Sequence, residues 1–220
     1  VALSSGSMHV TVFGHGAGAS GFSVKLSVGG TSCAASVWQS DSDVYCRTPS
    51  VLRARAGLVF TAGLQRSNLT LNVSVSYGGP IVSSVGVSNA PSSGASSVTV
   101  VGHGGVGISG SSPHVRVGLS GCMSSIWRSD SCVICRLSGG VRRGAAVIVT
   151  SGLQWGSLSA VVSYDGPSVV ATNTSVLLST GATIVAVVVR GGTAAVDYSV
   201  AARLSASACM ESRWLSDSGV

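Results

Sequence analysis

The sequence predicts an all-β chain of tandem, disulfide-stapled β-sandwich domains, and three observations predict it. The first is a repeat. Cys33-Ala-Ala-Ser36-Val-Trp38-Gln-Ser-Asp41-Ser-Asp43-Val-Tyr45-Cys46 returns as Cys122-Met-Ser-Ser125-Ile-Trp127-Arg-Ser-Asp130-Ser-Cys132-Val-Ile-Cys135, and again as Cys209-Met-Glu-Ser212-Arg-Trp214-Leu-Ser-Asp217-Ser-Gly219-Val220. The second is the period, 89 residues from Cys33 to Cys122 and 87 from Cys122 to Cys209, near the size of one small β-sandwich. The third is alternation of apolar and polar residues between the copies, the pattern of half-buried antiparallel strands. The function must be one that copies of a module can perform.

In chain order, the segment Met8 to Val12 places Val10 and Val12 on one face and His9 and Thr11 on the other, until Phe13-Gly14-His15-Gly16 breaks the strand. Val98 to Gly105 and Val185 to Gly192 repeat it. His15 and His103 are expected to be turn-edge histidines: the third copy carries Arg190 there, and no carboxylate or cysteine stands nearby. Val24 to Val28 and Val115 to Leu119 alternate again and run into the first cysteines.

Within the repeat, apolar residues flanking Ser-Asp-Ser predict two strands and a turn, with Asp41, Asp130 and Asp217 holding the reversal. Disulfides Cys33–Cys46 and Cys122–Cys135 are expected to join the two arms, because both members recur at matching positions. Closing so short a loop stabilises by about 3 kcal/mol, and Trp38 or Trp127 is expected to cover the bridge. Zinc is not expected: only Cys132 and Cys135 have CxxC spacing, and no histidine cluster accompanies them. Cys132 is the odd thiol, standing where the other copies have Asp43 and Gly219, and the expected partner of Cys209 falls two residues past Val220. Three fates are open to Cys132: a cross-link to a neighbouring module or protomer, a buried thiol acting as a small hydrophobe, or a Cys132–Cys209 bridge.

After the second cysteine, Arg47-Thr48-Pro49 leaves the strand. Gly57 to Phe60 with Gly63-Leu64-Gln65 then matches Ala145 to Val149 with Gly152-Leu153-Gln154. The clearest alternation follows, with Leu69, Leu71, Val73 and Val75 opposite Asn68, Thr70, Asn72 and Ser74, ending in Tyr77-Gly-Gly-Pro80; Tyr164-Asp-Gly-Pro167 is its counterpart. Its polar face carries the sequons at Asn68 and Asn72, and a further sequon stands at Asn173, so covalent glycans are expected. The prolines set the boundaries: residues 1–79, 80–166 and 167–220. Repeat two opens with Ile81 to Val85, a first strand that repeat one lacks, and repeat three stops before its second cysteine, so the chain is expected to be a window onto a longer array. Junctions this short imply semi-rigid stacking.

Composition narrows the partners. Charged residues are 9% of the chain, against a usual share of about 25%. So sparse a surface is expected to be covered by glycan or protein, extracellularly or at a cell surface. The 13 basic residues include a single lysine, Lys25, and cluster only at Arg53/Arg55 and Arg142/Arg143, a basic edge suited to acidic glycan. Nucleic acid is not expected, because dense basic stripes with interleaved aromatics are missing. Ile184 to Val189, the longest apolar run, is too short to span a bilayer. No signal peptide is visible and residue 1 is Val, which fits either a mature form or an excerpt from a longer chain that carries a membrane anchor elsewhere.

Ser27-Val28-Gly29-Gly30-Thr31-Ser32-Cys33, read with Val44-Tyr45-Cys46-Arg47-Thr48-Pro49, resembles the IPT/TIG family of immunoglobulin-like domains. Copy two matches less closely, with Leu119-Ser-Gly-Cys122 and Cys135-Arg-Leu-Ser138 in the same places. The Trp and Ser-Asp-Ser insertions are similar to cysteine-containing tandem repeats of large algal and protist surface proteins. The resemblance implies a tandem immunoglobulin-like sandwich array and leaves function to the site.

The expected function is a structural extracellular glycoprotein: a tandem-repeat subunit of a surface fibre, a mastigoneme-like flagellar hair or a wall layer. Its partners are other copies of itself or neighbouring repeats. The alternative is the ligand-binding ectodomain of a cell-surface receptor or adhesin, which a charged or aromatic pocket in one copy would favour. An enzyme is not expected: Asp41/Asp43 is the one close acidic pair, its counterparts are Asp130/Cys132 and Asp217/Gly219, and no Ser/His/Asp set recurs. No cofactor is expected.

Overall fold

Where the alternating segments reverse direction, each repeat lays its strands into two sheets. The protein was analysed as a computed structural model, which describes residues 6–17, 23–50, 55–67, 74–106, 112–173, 176–181, 183–191 and 201–213. Copy one contains β1 (His9–Phe13), β2 (Val24–Val28), β3 (Thr31–Ser32), β4 (Ala35–Ser40), β5 (Asp43–Arg47), β6 (Ala56–Ala62), β7 (Gln65–Ser67) and β8 (Ser74–Val75). One sheet has the order β1-β5-β4; the other has β3-β2-β6-β7, with β8 also on β6.

Copy two contains β9 (Ile81–Val85), β10 (Asn89–Ala90), β11 (Ser97–His103), β12 (His114–Val117), β13 (Ser120–Gly121), β14 (Ser124–Ser129), β15 (Cys132–Arg136), β16 (Ala145–Ser151) and β17 (Gln154–Tyr164). Its sheets are β14-β15-β11-β9 and β10-β17-β16-β12-β13. The plan is that of copy one with two strands added: β9 pairs antiparallel with β11, and β10 pairs parallel with β17. In copy three, β18 (Ser168–Thr172) pairs with β19 (Val187–Arg190), and β20 (Arg203–Leu204) with β21 (Ser207–Ala208).

Alternation converts directly into the core. In β11, Val98 and Val100 are fully buried while Ser97, Thr99 and Val101 face out. Opposite them lie Val115 and Val117 of β12, Val147 and Val149 of β16, and Val162 of β17. Each such side chain stabilises by about 1.5–3 kcal/mol relative to exposure. Copy one repeats the arrangement with Leu26, Val28, Val44 and Leu58, and Trp38 packs against this cluster.

The disulfides connect the chain differently from a stapled hairpin. Cys33 is joined to Cys46 and Cys122 to Cys135, each with Cα atoms 5.7 Å apart. The hairpin register, however, places Ser36 opposite Cys46 and Ser125 opposite Cys135. The first cysteine therefore stands outside the hairpin, and its N–H bonds the carbonyl of Leu26 or Val115 in the other sheet. The bridge ties sheet to sheet, because the chain crosses between sheets before β4 and β14 begin. Cys132 and Cys209 are both free, so no Cys132–Cys209 bridge forms.

The reversal itself is a two-residue turn preceded by a bulge in β4 and β14. Serine hydroxyls bond there: Ser42 N–H donates to Ser40 Oγ, and Ser131 N–H to Ser129 Oγ. Of the alternating segment read from Asn68 onward, residues 68–73 lie outside the described residues; its counterpart β17 runs unbroken for 11 residues.

Candidate functional site

The chemistry of this chain concentrates where one module meets the next. Repeat one leaves through Tyr77-Gly78-Gly79-Pro80 and enters β9 directly. At Gly102 a Cβ would collide with the Ile81 carbonyl oxygen, and at Gly156 with that of Pro80. At Gly104, φ is +75° and a Cβ would lie 2.5 Å from the Gly79 carbonyl oxygen. Glycine is required wherever one backbone approaches another this closely. The linker is thus seated on copy two. Gln154, only 7% exposed, donates from Nε2 to the Tyr77 carbonyl at 2.9 Å; its Oε1 is buried without a protein partner among the described residues.

The second junction repeats the contact one period later, with a Cβ at Gly191 falling 2.9 Å from the Gly166 carbonyl oxygen. Here the exit segment carries Asp165 in place of Gly78. Asn89 Nδ2 donates to Asp165 Oδ1, and a shallow depression forms between Asn89, Arg143, Ser163, Tyr164, Asp165 and Gly166. Each exit tyrosine is also fastened to its own repeat: Tyr77 Oη donates to the Pro49 carbonyl at 3.2 Å and Tyr164 Oη to the Ser138 carbonyl at 3.1 Å. Burial pushes the Tyr77 hydroxyl above its ordinary value, while a hydrogen bond with the Thr48 side chain pulls the other way.

A second recurrent device lies beside the cysteines. Ser36 Oγ accepts from Leu26 N–H, Ser125 Oγ from Val115 N–H and Ser212 Oγ from Ala202 N–H, at 3.0, 3.1 and 3.0 Å. The first-cysteine N–H donates back to the carbonyl of the same residue in all three copies. The sequence carries this signal as Cys-x-x-Ser in all three copies, but serine at that spacing has no distinctive meaning until the strand it caps is placed.

The other candidate residues do not converge. His15 is exposed in a loop, and His103 Nδ1 lies 3.3 Å from Ser83 Oγ. Among the described residues no three of His, Cys, Asp and Glu come together as metal ligands. Cys132 is partly exposed on β15; its neighbour Val133 and Cys135 face the core, so Cys132 lies on the outer face. Arg142 and Arg143 are exposed. Asn173 is exposed, and its Oδ1 accepts from Ala186 N–H. Asn68, Asn72, Arg53, Trp214, Asp217 and Gly219 lie outside the described residues. No helix among the described residues is long and apolar enough to cross a membrane.

Sheet pairing, inter-sheet bridges and seated linkers together define tandem immunoglobulin-like β domains, all-β and with two disulfides. Residues 1–79 match the family model described as IPT/TIG domain. No curated protein sequence matches the chain. Among solved structures, SGBP-B from a complex xyloglucan utilization locus in Bacteroides uniformis is similar at 9% identity and a TM-score of 0.34, over 72% of this chain and 46% of that one. The full extracellular region of plexin A4 is similar at 17% identity and 0.37, over 74% and 17%. The surface glycan-binding protein PbSGBP-B from Prevotella bryantii is similar at 12% identity and 0.40, over 70% and 36%. The chain thus spans less than half the length of each of these structures.

Proposed function

We propose that this chain is a non-enzymatic, structural extracellular glycoprotein, a tandem-repeat stretch of a surface fibre, a mastigoneme-like flagellar hair or a wall layer. The observation that carries the reading is the seated linker, present at both junctions with glycine beneath it. A chain whose modules pack on their own connectors resists bending and propagates one geometry from copy to copy. Disulfides in two successive copies suit an oxidising compartment. Glycans at Asn68, Asn72 and Asn173 supplement a surface poor in charge. Its partners are neighbouring repeats and other copies, with no role for nucleic acid.

A receptor or adhesin ectodomain is the second reading, favoured by the depression beside Arg143, where copy two has Asp165 and copy one has Gly78. It ranks below the first because the Asp165 carboxylate is already engaged by Asn89. Immunogold labelling of source cells with antibody against this chain separates the two. Label along fibres, hairs or wall is expected; label confined to the plasma membrane moves the chain to the second reading, and cytosolic label overturns both.

A further inference from the structure

We infer that the outer face of the β12-β16-β17 sheet in copy two, centred on Trp155, is a binding site for an anionic polysaccharide, a chain of sugar rings carrying carboxylate or sulfate. The inference goes beyond the structural reading, from which it takes only the extracellular setting.

Strand register builds the face. Trp155 of β17 pairs with Thr150 of β16, and Thr150 with His114 of β12; in the next row Ser157 pairs with Ile148, and Ile148 with Arg116. These residues alternate with Val115, Val147 and Val149, which are buried in the core, so the period of two turns them outward. The row from His114 to Trp155 crosses two strand spacings, about 10 Å. Trp155 is 69% exposed, whereas Trp38 and Trp127 are half-buried. A large apolar plane left in solvent marks a surface that meets something else. Copy one is already in place and does not cover it. The linker lies against Gln154 and Gly156, which alternate with Trp155 and so present the opposite side of β17. The tandem neighbour thus fixes the strand and leaves the indole bare.

An indole plane packs against the C–H face of a sugar ring and sheds water from it, while Thr150 and Ser157 offer hydroxyls to the ring's own. Charge selects the sugar. Arg116 Nη2 donates to the Leu119 carbonyl at 3.4 Å, which orients the guanidinium, and a guanidinium has further N–H groups for a carboxylate or sulfate. No Asp or Glu stands on β10, β12, β13, β16 or β17 to neutralise it. Copy one keeps the same rule: the row equivalent to His114, Thr150 and Trp155 is Lys25, Thr61 and Arg66, each 89 residues earlier, again on strands without an acid. A face that stays basic while its residues change complements an anionic chain. The sequon at Asn68 closely follows Arg66, but copy two has Ser157 in that place and no sequon between residues 80 and 166, so its face carries no N-glycan of its own.

Affinity electrophoresis of the full chain through gels holding polygalacturonate, dextran sulfate or unsubstituted dextran tests the site. Retardation by an anionic polymer and none by dextran is expected, and the stronger of the two anionic polymers tells carboxylate from sulfate. Trp155→Ala and Arg116→Ala are each expected to weaken binding at least about tenfold, and Trp155→Phe to keep most of it. Arg128→Ala removes an equal charge from the exposed face of β14 and is expected to change binding less than about twofold. Equal losses from Arg116→Ala and Arg128→Ala reduce the retention to net charge and overturn the site, as does equal retention by dextran. A Trp155→Ala chain that binds glycan undiminished but loses self-association in sedimentation assigns the face to a second copy and overturns it too. Each of these failures leaves fibre labelling of source cells, and with it the structural reading, standing.

Discussion

Ser125 Oγ is the acceptor for Val115 N–H, and Val115 is 2% exposed, so its amide has no water to turn to. Ser125→Ala is therefore expected to cost about 1–2 kcal/mol, the penalty for an unsatisfied buried donor. A fall in the denaturant midpoint at unchanged slope checks it. Tyr77 offers a pH-dependent case. Its folded-state hydroxyl is raised by burial above the ordinary value, about 10 in an unfolded chain. The folded state therefore holds its proton where the unfolded state has lost it. The stability this provides is complete below about pH 10 and is lost as pH rises through the folded value. Tyr77→Phe should flatten that alkaline loss while costing about 1 kcal/mol at neutral pH for the bond to the Pro49 carbonyl. Alkaline denaturation curves of both proteins measure the difference.

At the scale of elements, the inter-sheet bridge and the adjacent serine act on the same crossing. The bridge fixes the end of the crossing in one sheet to the second strand of the hairpin in the other, while the serine and cysteine backbone bonds hold the crossing against β2 or β12. Replacing Cys122 and Cys135 together by Ala opens a loop of sequence separation 13, which is expected to cost about 3 kcal/mol. Thermal unfolding should show that loss in copy two while the copy-one transition stays in place. If both transitions fall equally, the bridge acts across the junction and the module-by-module account fails. The hairpin itself was legible from its sequence, because period-2 alternation and a polar turn are local properties. Which strand the first cysteine belongs to was not legible, since a change of sheet leaves no mark in a pattern that alternates on both sides of it.

Across the whole molecule, burial is unequal. Copy two has a continuous cluster from β9 to β17, copy one a smaller cluster, and the described strands of copy three are exposed or half-exposed. Stability differs along a chain when burial does. Native-state hydrogen exchange is expected to rank the copies in that order, with β11, β15 and β16 slowest and β18 to β21 fastest by at least about a hundredfold. Uniform protection through all copies would show that the array folds as one cooperative unit.

The sequence by itself determined the repeat, its period, the all-β class and the alternating core faces, because each follows from residue type at fixed local spacing. Tyr77-Gly-Gly-Pro80 was legible as a boundary for the same reason. Tertiary structure alone decided that this boundary is a packed joint. Gly102, Gly104 and Gly156 are separated from Gly79 and Pro80 in sequence, and their lack of a side chain has meaning only once the linker lies on them. Gly14 and Gly16 carry the same residue type with open space above them. Glycine is permissive rather than directive, so what occupies the space it leaves is settled by the neighbouring backbone.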